Sequence, residues 1–257
     1  STMRNLSNTG SVDTNELKHF KQFTKEWWDK IGPCKGLHSM NKLRIPLIRD
    51  GLINVNVVSQ HNVNSPTPLK GISILDVGCG GGILTEPLAR IGGEVTGLDA
   101  SPDLIEMAKA HSELENLQNI RYVCSSIEEH AEDNLHKYDA VVASEIIEHV
   151  TQKEEFLKAC MKCLKPGGSF FLTTLSKTWL ANVAAIWLAE NWFQILPKGT
   201  HQYDKFVKPH DVQRILNEER CQTVLLHGMF YNVLTNDWSW CSNNNVSYAL
   251  HAVKYAT

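Results

Sequence analysis

Residues 72–82, Ile-Ser-Ile-Leu-Asp-Val-Gly-Cys-Gly-Gly-Gly, constrain this chain more than any other stretch. The apolar run Ile72 to Val77 has the composition of a buried parallel strand. It ends in a glycine-dense turn, Gly78 to Gly82, and a helical pattern follows through Ile83, Leu84, Leu88, Ala89 and Ile91. Strand, glycine turn and helix in that order are the signature of a nucleotide-type cofactor. Glycines let the backbone approach the ligand, and the helix N-terminus offers free N–H groups. The dinucleotide fingerprint G-x-G-x-x-G starts correctly at Gly78 and Gly80, but Ile83 stands at its third glycine. That disfavours a hydride-transferring dehydrogenase. A second strand, Glu94 to Leu98, ends in Asp99, 21 residues after Gly78. A carboxylate at that spacing accepts hydrogen bonds from both ribose hydroxyls. The bland alternative is a glycine turn of another α/β protein, with Asp99 as a strand-end or cap residue.

Strands and helices alternate from Ile72 onward. Strands are predicted at 72–77, 94–99, 120–124, 138–143 and 168–175, and helices at 83–91, 102–117, 151–164 and 178–190. This is the pattern of a doubly wound, Rossmann-like α/β sheet. A later helix spans 209–219, and runs 222–231 and 246–255 read as an antiparallel pair closing a seven-stranded sheet, with Asp237 to Asn245 a surface loop between them. Ahead of the sheet, residues 1–12 read as a disordered polar tail, and 13–257 as one domain. A helix starts at Asp13 or Thr14, with Leu17, Phe20, Phe23 and Trp27 on one face, and Trp27-Trp28-Asp29 closes it. A second helix covers 37–52, interrupted or restarted at Pro46; these helices occupy 13–53, and 54–70 reads as a linker.

Asp76 sits in the strand end, two residues before Gly78-Cys79-Gly80. Acidic residue followed by G-x-G resembles motif I of class I S-adenosylmethionine (SAM) methyltransferases. The Lys165-Pro166-Gly167-Gly168 turn before strand five is also common there. The resemblance implies that Asp76, Gly78 and Gly80 back the amino-acid end of SAM. It also implies that Ser126 and Ile127, after the third strand, meet the adenine. Many relatives have Asp where Ser126 stands, and the alternative there is an ordinary loop.

The fourth strand runs into Ser144-Glu145-Ile146-Ile147-Glu148-His149-Val150. Glu145, Glu148 and His149 are spaced i, i+3, i+4, which on a helical turn puts them on one face. Two carboxylates and an imidazole suit Mg²⁺, Mn²⁺ or Zn²⁺. With no metal, His149 serves substrate placement or packing instead.

The segment 176–207 carries Trp179, Leu180, Val183, Ile186, Trp187, Leu188, Trp192, Phe193, Ile195 and Leu196, an inserted helical element after strand five. A helical stripe of Trp and Leu suits a lipophilic substrate or a membrane surface, with Lys177, Lys198 and Lys205 near anionic headgroups; part of it is expected to be core. A net charge of −3 argues against general nucleic-acid binding. Seven scattered cysteines suit a reducing compartment, and the lone Cys160-x-x-Cys163 reads as thiols rather than zinc ligands. No run of apolar residues reaches spanning length, and no signal peptide is visible.

One resemblance covers nearly the whole chain from Val12. Val12-Asp13, Phe20, Trp27-Trp28-Asp29, Gly36-Leu37-His38 and Asn41-Lys42-Leu43-Arg44, together with residues 75–82 and Ser144 to Val150, are similar to the ubiquinone-biosynthesis O-methyltransferase family. The longer 54–70 segment tilts the resemblance toward a mitochondrial member. It implies SAM-dependent methylation of catechol-type hydroxyls on polyprenylated rings, at both O-methylation steps. It implies that Arg44 reaches the SAM site with Gly78, Asp99 and Ser144, and that Glu145, Glu148 and His149 bind a divalent metal, Mg²⁺ first. It further implies peripheral contact with the matrix side of the mitochondrial inner membrane through 176–207 (the cytoplasmic membrane face in bacteria), a transit peptide absent from this chain, and a multiprotein assembly. No general base is named; His201 and Tyr203 are candidates by position only. The competing expectations are a SAM-dependent C- or N-methyltransferase on another small lipophilic molecule, and a SAM-binding scaffold subunit.

Overall fold

The computed structural model describes residues 27–174, 207–244 and 247–256. The expected tail at 1–12, the helix from Asp13 or Thr14, the segment 176–206 and the candidates His201 and Tyr203 lie outside the described residues.

Among the described residues, eight strands form one mixed sheet in the order β3-β2-β1-β4-β5-β8-β6-β7. They are β1 (Ser73–Val77), β2 (Glu94–Asp99), β3 (Ile120–Cys124), β4 (Tyr138–Ser144), β5 (Leu164–Thr174), β6 (Cys221–Asn232), β7 (Asp237–Cys241) and β8 (Tyr248–Lys254). The first five pair in parallel, and β8, β6 and β7 add antiparallel. Helices are α1 (Lys35–Asn54), α2 (Thr85–Arg90), α3 (Pro102–Leu114), α4 (Ile127–Asp133), α5 (Lys153–Cys163) and α6 (Pro209–Glu218). The parallel strands are apolar throughout because both sheet faces are covered: Val141, Phe170 and Leu172 pack with α4, α5 and α6 residues, and Ile74, Val142 and Phe171 with α1 residues. Strand order reverses between β1 and β4, and ligands of such sheets bind in the crevice at the carboxyl ends there.

The parallel half matches the sequence expectation, and the departures have local causes. The expected loop at Asp237 to Asn245 contains β7, so the sheet formed by the described residues has eight strands, not seven. Trp238 drives this: it pairs across the ladder with Tyr231, is 2% exposed, and its indole N–H donates to the Gly36 carbonyl at 2.9 Å. Helix α1 runs unbroken through Pro46. The roughly 3 kcal/mol cost of an interior proline is offset by a buried stripe of Met40, Leu43, Leu47, Ile48 and Leu52. Segment 54–70 has no regular element, yet Val58 and Leu69 are buried under α1. Helix α4 was not expected; Ser126 is its N-cap, its Oγ accepting from the Glu129 N–H at 3.2 Å. Strand β5 begins at Leu164 rather than Gly168, because the Lys165–Gly168 stretch is taken up as an irregularity against β4.

Candidate active site at the carboxyl ends of the strands

Parallel register places Asp76, Asp99 and Ser144 at one edge, since Asp76 pairs with Gly97 and Val142, Asp99 with Cys124, and Ser144 with Thr173. The glycine turn closes over that edge. Gly78 (φ +74°) and Gly80 (φ +54°) adopt left-handed backbone, and a Cβ on Gly78 would stand 2.7 Å from Ile146 Cγ1. Only glycine fits there without strain.

Asp99 organises this turn. Its Oδ2 accepts from the Gly80 N–H and its Oδ1 from the Ser101 N–H, each at 2.9 Å. Burial pushes its carboxyl up, and backbone N–H groups of Ser101, Gly80 and Ala100 oppose that. Each carboxylate oxygen keeps lone-pair capacity for a ribose hydroxyl. Asp76 is 2% exposed and accepts from Thr85 Oγ1 at 2.6 Å. Burial raises its carboxyl to about 6, against the Thr85 hydrogen bond and the Arg44 charge.

Arg44 enters from α1 and is 4% exposed. Its Nε and Nη2 donate to Asn41 Oδ1 at 3.0 and 2.6 Å, Nη2 also to the Leu37 carbonyl at 2.8 Å, and Nη1 to Ser144 Oγ at 2.9 Å. Burial lowers its pKa to about 10, and Glu145 and Asp76 partly restore it. The guanidinium is therefore a fixed buried cation at neutral pH, oriented by neutral acceptors. Ser144 Oγ continues to Thr173 Oγ1 at 2.7 Å, and Thr173 Oγ1 donates to Glu145 Oε1 at 2.6 Å.

The E-x-x-E-H turn is not a regular helical turn. Glu145 has φ +58°, and only Ile147–His149 form a 3-10 turn. Glu145, Glu148 and His149 therefore do not share one helical face. The two carboxyls still meet: Glu148 lies close enough for its charge to act on Glu145, and Thr174 Oγ1 donates to Glu148 Oε2 at 3.4 Å. Burial first, then the Glu148 charge, holds the Glu145 carboxyl well above the ordinary range, against Thr173 and Arg44. The Glu145 Oε2 is buried with no hydrogen-bond partner. Two adjacent buried carboxyls with a spare oxygen fit a hard divalent cation that takes its other ligands from substrate and water. Among the described residues no three His, Cys, Asp or Glu side chains come together as a metal set, so His149 is not gathered with the two glutamates.

Ser126 is buried, but its Oγ is engaged in capping α4, and the Ile127 side chain lies in the core. Both stand at the end of β3, beside Asp99 and Cys124. Thr85, Thr173, Thr174 and Asn41 are site residues that the sequence reading did not assign. The signals were a polar Thr173-Thr174 pair ending an apolar strand and the place of Asn41 in the stretch that leads to Arg44.

A model of the methyltransferase domain matches residues 75–172. The chain is 42% identical over 250 residues to the mitochondrial ubiquinone biosynthesis O-methyltransferase of Rattus norvegicus, covering 96% of this chain and 71% of that one. It is 43% identical to the Homo sapiens counterpart, spanning 66% of it, and 37% identical to the Vibrio cholerae ubiquinone biosynthesis O-methyltransferase, spanning 94% of it. Among solved structures, magnesium protoporphyrin IX methyltransferase from Synechocystis with bound SAH superposes with a TM-score of 0.59 at 19% identity, over 92% of this chain and 94% of that one. That likeness shows the fold.

Proposed function

The chain belongs to the ubiquinone biosynthesis O-methyltransferase family of SAM-dependent enzymes, and from that premise we propose that it methylates catechol-type hydroxyls of polyprenylated benzoate and benzoquinol intermediates, at both O-methylation steps. The observation that carries this reading is the buried Glu145–Glu148 carboxyl pair, joined through Thr173 and Ser144 to Arg44 at the switch point of the sheet.

SAM supplies an electrophilic methyl group on a sulfonium. Arg44, Asp76, Gly78, Gly80, Asp99, Ser126, Ile127 and Ser144 are the residues proposed to hold it: Arg44 and Asp76 at the amino-acid end, Asp99 at the ribose, and the start of α4 at the adenine. Methyl transfer is an in-line displacement, so the chain's work is to orient the two reactants and accommodate the hydroxyl proton. Glu145 and Glu148 stand at the end of β4, where a hydroxyl of the acceptor would lie. Their fit to a divalent cation supports metal assistance, with the remaining ligands drawn from substrate and water rather than from His149. Such an ion, Mg²⁺ first, would lower the pKa of a bound catechol.

The mitochondrial relatives support a mitochondrial setting. The matrix side of the inner membrane, a multiprotein assembly and lipid contact through segment 176–207 are proposed from the sequence resemblance and the Trp-rich composition of that segment. No helix among the described residues is long and apolar enough to cross a membrane. The test is methyl transfer from SAM to a short-chain prenylated dihydroxybenzoate, with EDTA and with Mg²⁺, Mn²⁺ or Zn²⁺ restored. Activity lost to EDTA and regained with metal is expected. Activity indifferent to EDTA would remove the metal and leave the methyltransferase. SAM binding without transfer to any catechol would favour C- or N-methylation, or a scaffold subunit.

A further inference from the structure

Trp27 lies directly on the glycine turn. A methyl group in place of the Gly80 hydrogen would stand 2.6 Å from Trp27 Cζ2, and one on Gly81 2.5 Å from Trp27 Cδ1. The indole is 7% exposed and packs with Cys34, Ile83 and Leu104, and with Met107 at its rim. Gly80, already left-handed, is thus needed for a second reason besides backbone conformation, and Gly81 for this reason alone: they admit a flat aromatic ring against the main chain.

The ring is pinned from several sides. His38, on α1, is hydrogen-bonded through Nε2–H to the Trp27 carbonyl at 3.0 Å. The next residue, Trp28, stacks on His111 of α3 with centroids 3.6 Å apart and planes 1° apart. His111 is in turn hydrogen-bonded through Nδ1 to Glu86 Oε1 at 2.7 Å, and Glu86 is 1% exposed on α2. Asn41 Nδ2 donates to the Ile83 carbonyl at 2.8 Å, tying α1 to the far end of the same turn. The Trp27–Trp28 strap therefore joins three helices across the loop.

What it holds is the peptide that orients Asp99. The Gly80 N–H donates to Asp99 Oδ2 at 2.9 Å, and Trp27 covers the α-carbon of that same residue. We propose that Trp27 is a positioning residue of the methyl-donor site: its indole clamps Gly80–Gly81 so that the Gly80 N–H fixes the Asp99 carboxylate for the ribose. The role rests on the assignment of this turn to SAM. Neither Trp27 nor His38 supplies a reacting group. Both set the geometry of one that binds.

Calorimetric titration of SAM into the intact protein tests this, because it separates affinity from the fraction of competent sites. Trp27→Ala is expected to bind with a stoichiometry near one and a Kd raised about tenfold, and Trp27→Phe within about threefold of wild type. His38→Ala, which keeps the indole and removes its pin, is expected to raise Kd severalfold at full stoichiometry. A Trp27→Ala protein whose Kd is unchanged, with or without a fall in stoichiometry, would overturn the proposal, since a purely structural role removes folded sites without weakening the rest. If Trp27→Ala does not fold, an unchanged Kd in His38→Ala overturns it. Wild type that binds no SAM would instead remove the donor assignment of the turn, and this role with it.

Discussion

Arg44 and Ser144, one hundred positions apart in sequence, are joined by a 2.9 Å hydrogen bond from the guanidinium Nη1 to the serine Oγ. This contact couples the N-terminal helix to the strand end where the acceptor is proposed to bind. The β6–β7 hairpin secures it from behind: Trp238 bonds the Gly36 carbonyl, Ser39 Oγ donates to Asn236 Oδ1 at 3.0 Å, and Lys42 pairs with Asp237 at 2.8 Å. The antiparallel addition to the sheet thus places an arginine rather than merely closing an edge.

Arg44→Lys is expected to weaken SAM binding about tenfold or more, about 1.4 kcal/mol. A lysine has three donors on one atom and cannot reach Asn41, Leu37 and Ser144 as the planar fork does. Ser144→Ala keeps the charge and loses one acceptor, so its effect should be smaller, about 1 kcal/mol. Calorimetry with SAM checks both. Equal affinity in Arg44→Lys would show that the fork is structural only.

Asp99→Asn is expected to cost more than the loss of one charge. Asp99 receives a backbone N–H on each oxygen, from Gly80 and Ser101. An amide has one acceptor oxygen, so its NH₂ would face one of those donors, and the turn would open. SAM affinity should fall at least about tenfold, and thermal stability should fall with it. Unchanged affinity would refute the ribose role.

Asp99 was legible in the sequence because its signal is local: a strand end, two glycines and a carboxylate at fixed spacing are adjacent in the chain or one βα unit apart. Arg44 and Ser144 carry no such spacing and were reached only through the family resemblance. Thr173 was not legible, because its contact with Ser144 arises from the pairing of β4 with β5. Strand β7 was missed because Asp-Trp-Ser-Trp-Cys has the polar content of a loop, and only burial of Trp238 against α1 makes it a strand. The i, i+3, i+4 reading of Glu145, Glu148 and His149 assumed a helix that the left-handed backbone of Glu145 prevents. The spacing was informative for the two glutamates and misleading for the geometry of the three.

Asp76 provides a pH prediction. Its native carboxyl titrates near 6, raised chiefly by burial, whereas an unfolded Asp titrates near about 4. Between about pH 4 and 6 the native state keeps a proton that the unfolded chain has released, so this group's contribution to stability falls as pH rises through that window and is level above it. Asp76→Asn removes the effect. The ligand-free variant should gain on wild type progressively from about pH 4 to 6, reaching about 2–3 kcal/mol near neutrality. It should also bind SAM less well, having lost the carboxylate. Urea melts at several pH values check the first expectation; a constant gap between the two proteins would remove the buried-charge explanation.

The Glu145–Glu148 pair makes the metal testable without turnover. The two carboxyls are adjacent and buried, and burial together with the Glu148 charge holds the Glu145 carboxyl well above its ordinary range. A cation competes with protons for such carboxyls, so its affinity should weaken in acid. Binding to the native state alone stabilises it by RT ln(1 + [L]/Kd), about 2.7 kcal/mol at a hundredfold excess over Kd. Wild type should therefore melt higher with Mg²⁺ or Mn²⁺, more so at pH 8 than at pH 6. Glu148→Gln should lose most of that shift, because an amide cannot share a proton or a cation with Glu145 in the same way. It should nevertheless fold, since it relieves the repulsion between the two carboxyls. A wild-type melting temperature indifferent to every divalent cation at pH 8 would leave the pair as a proton-sharing dyad with no metal role.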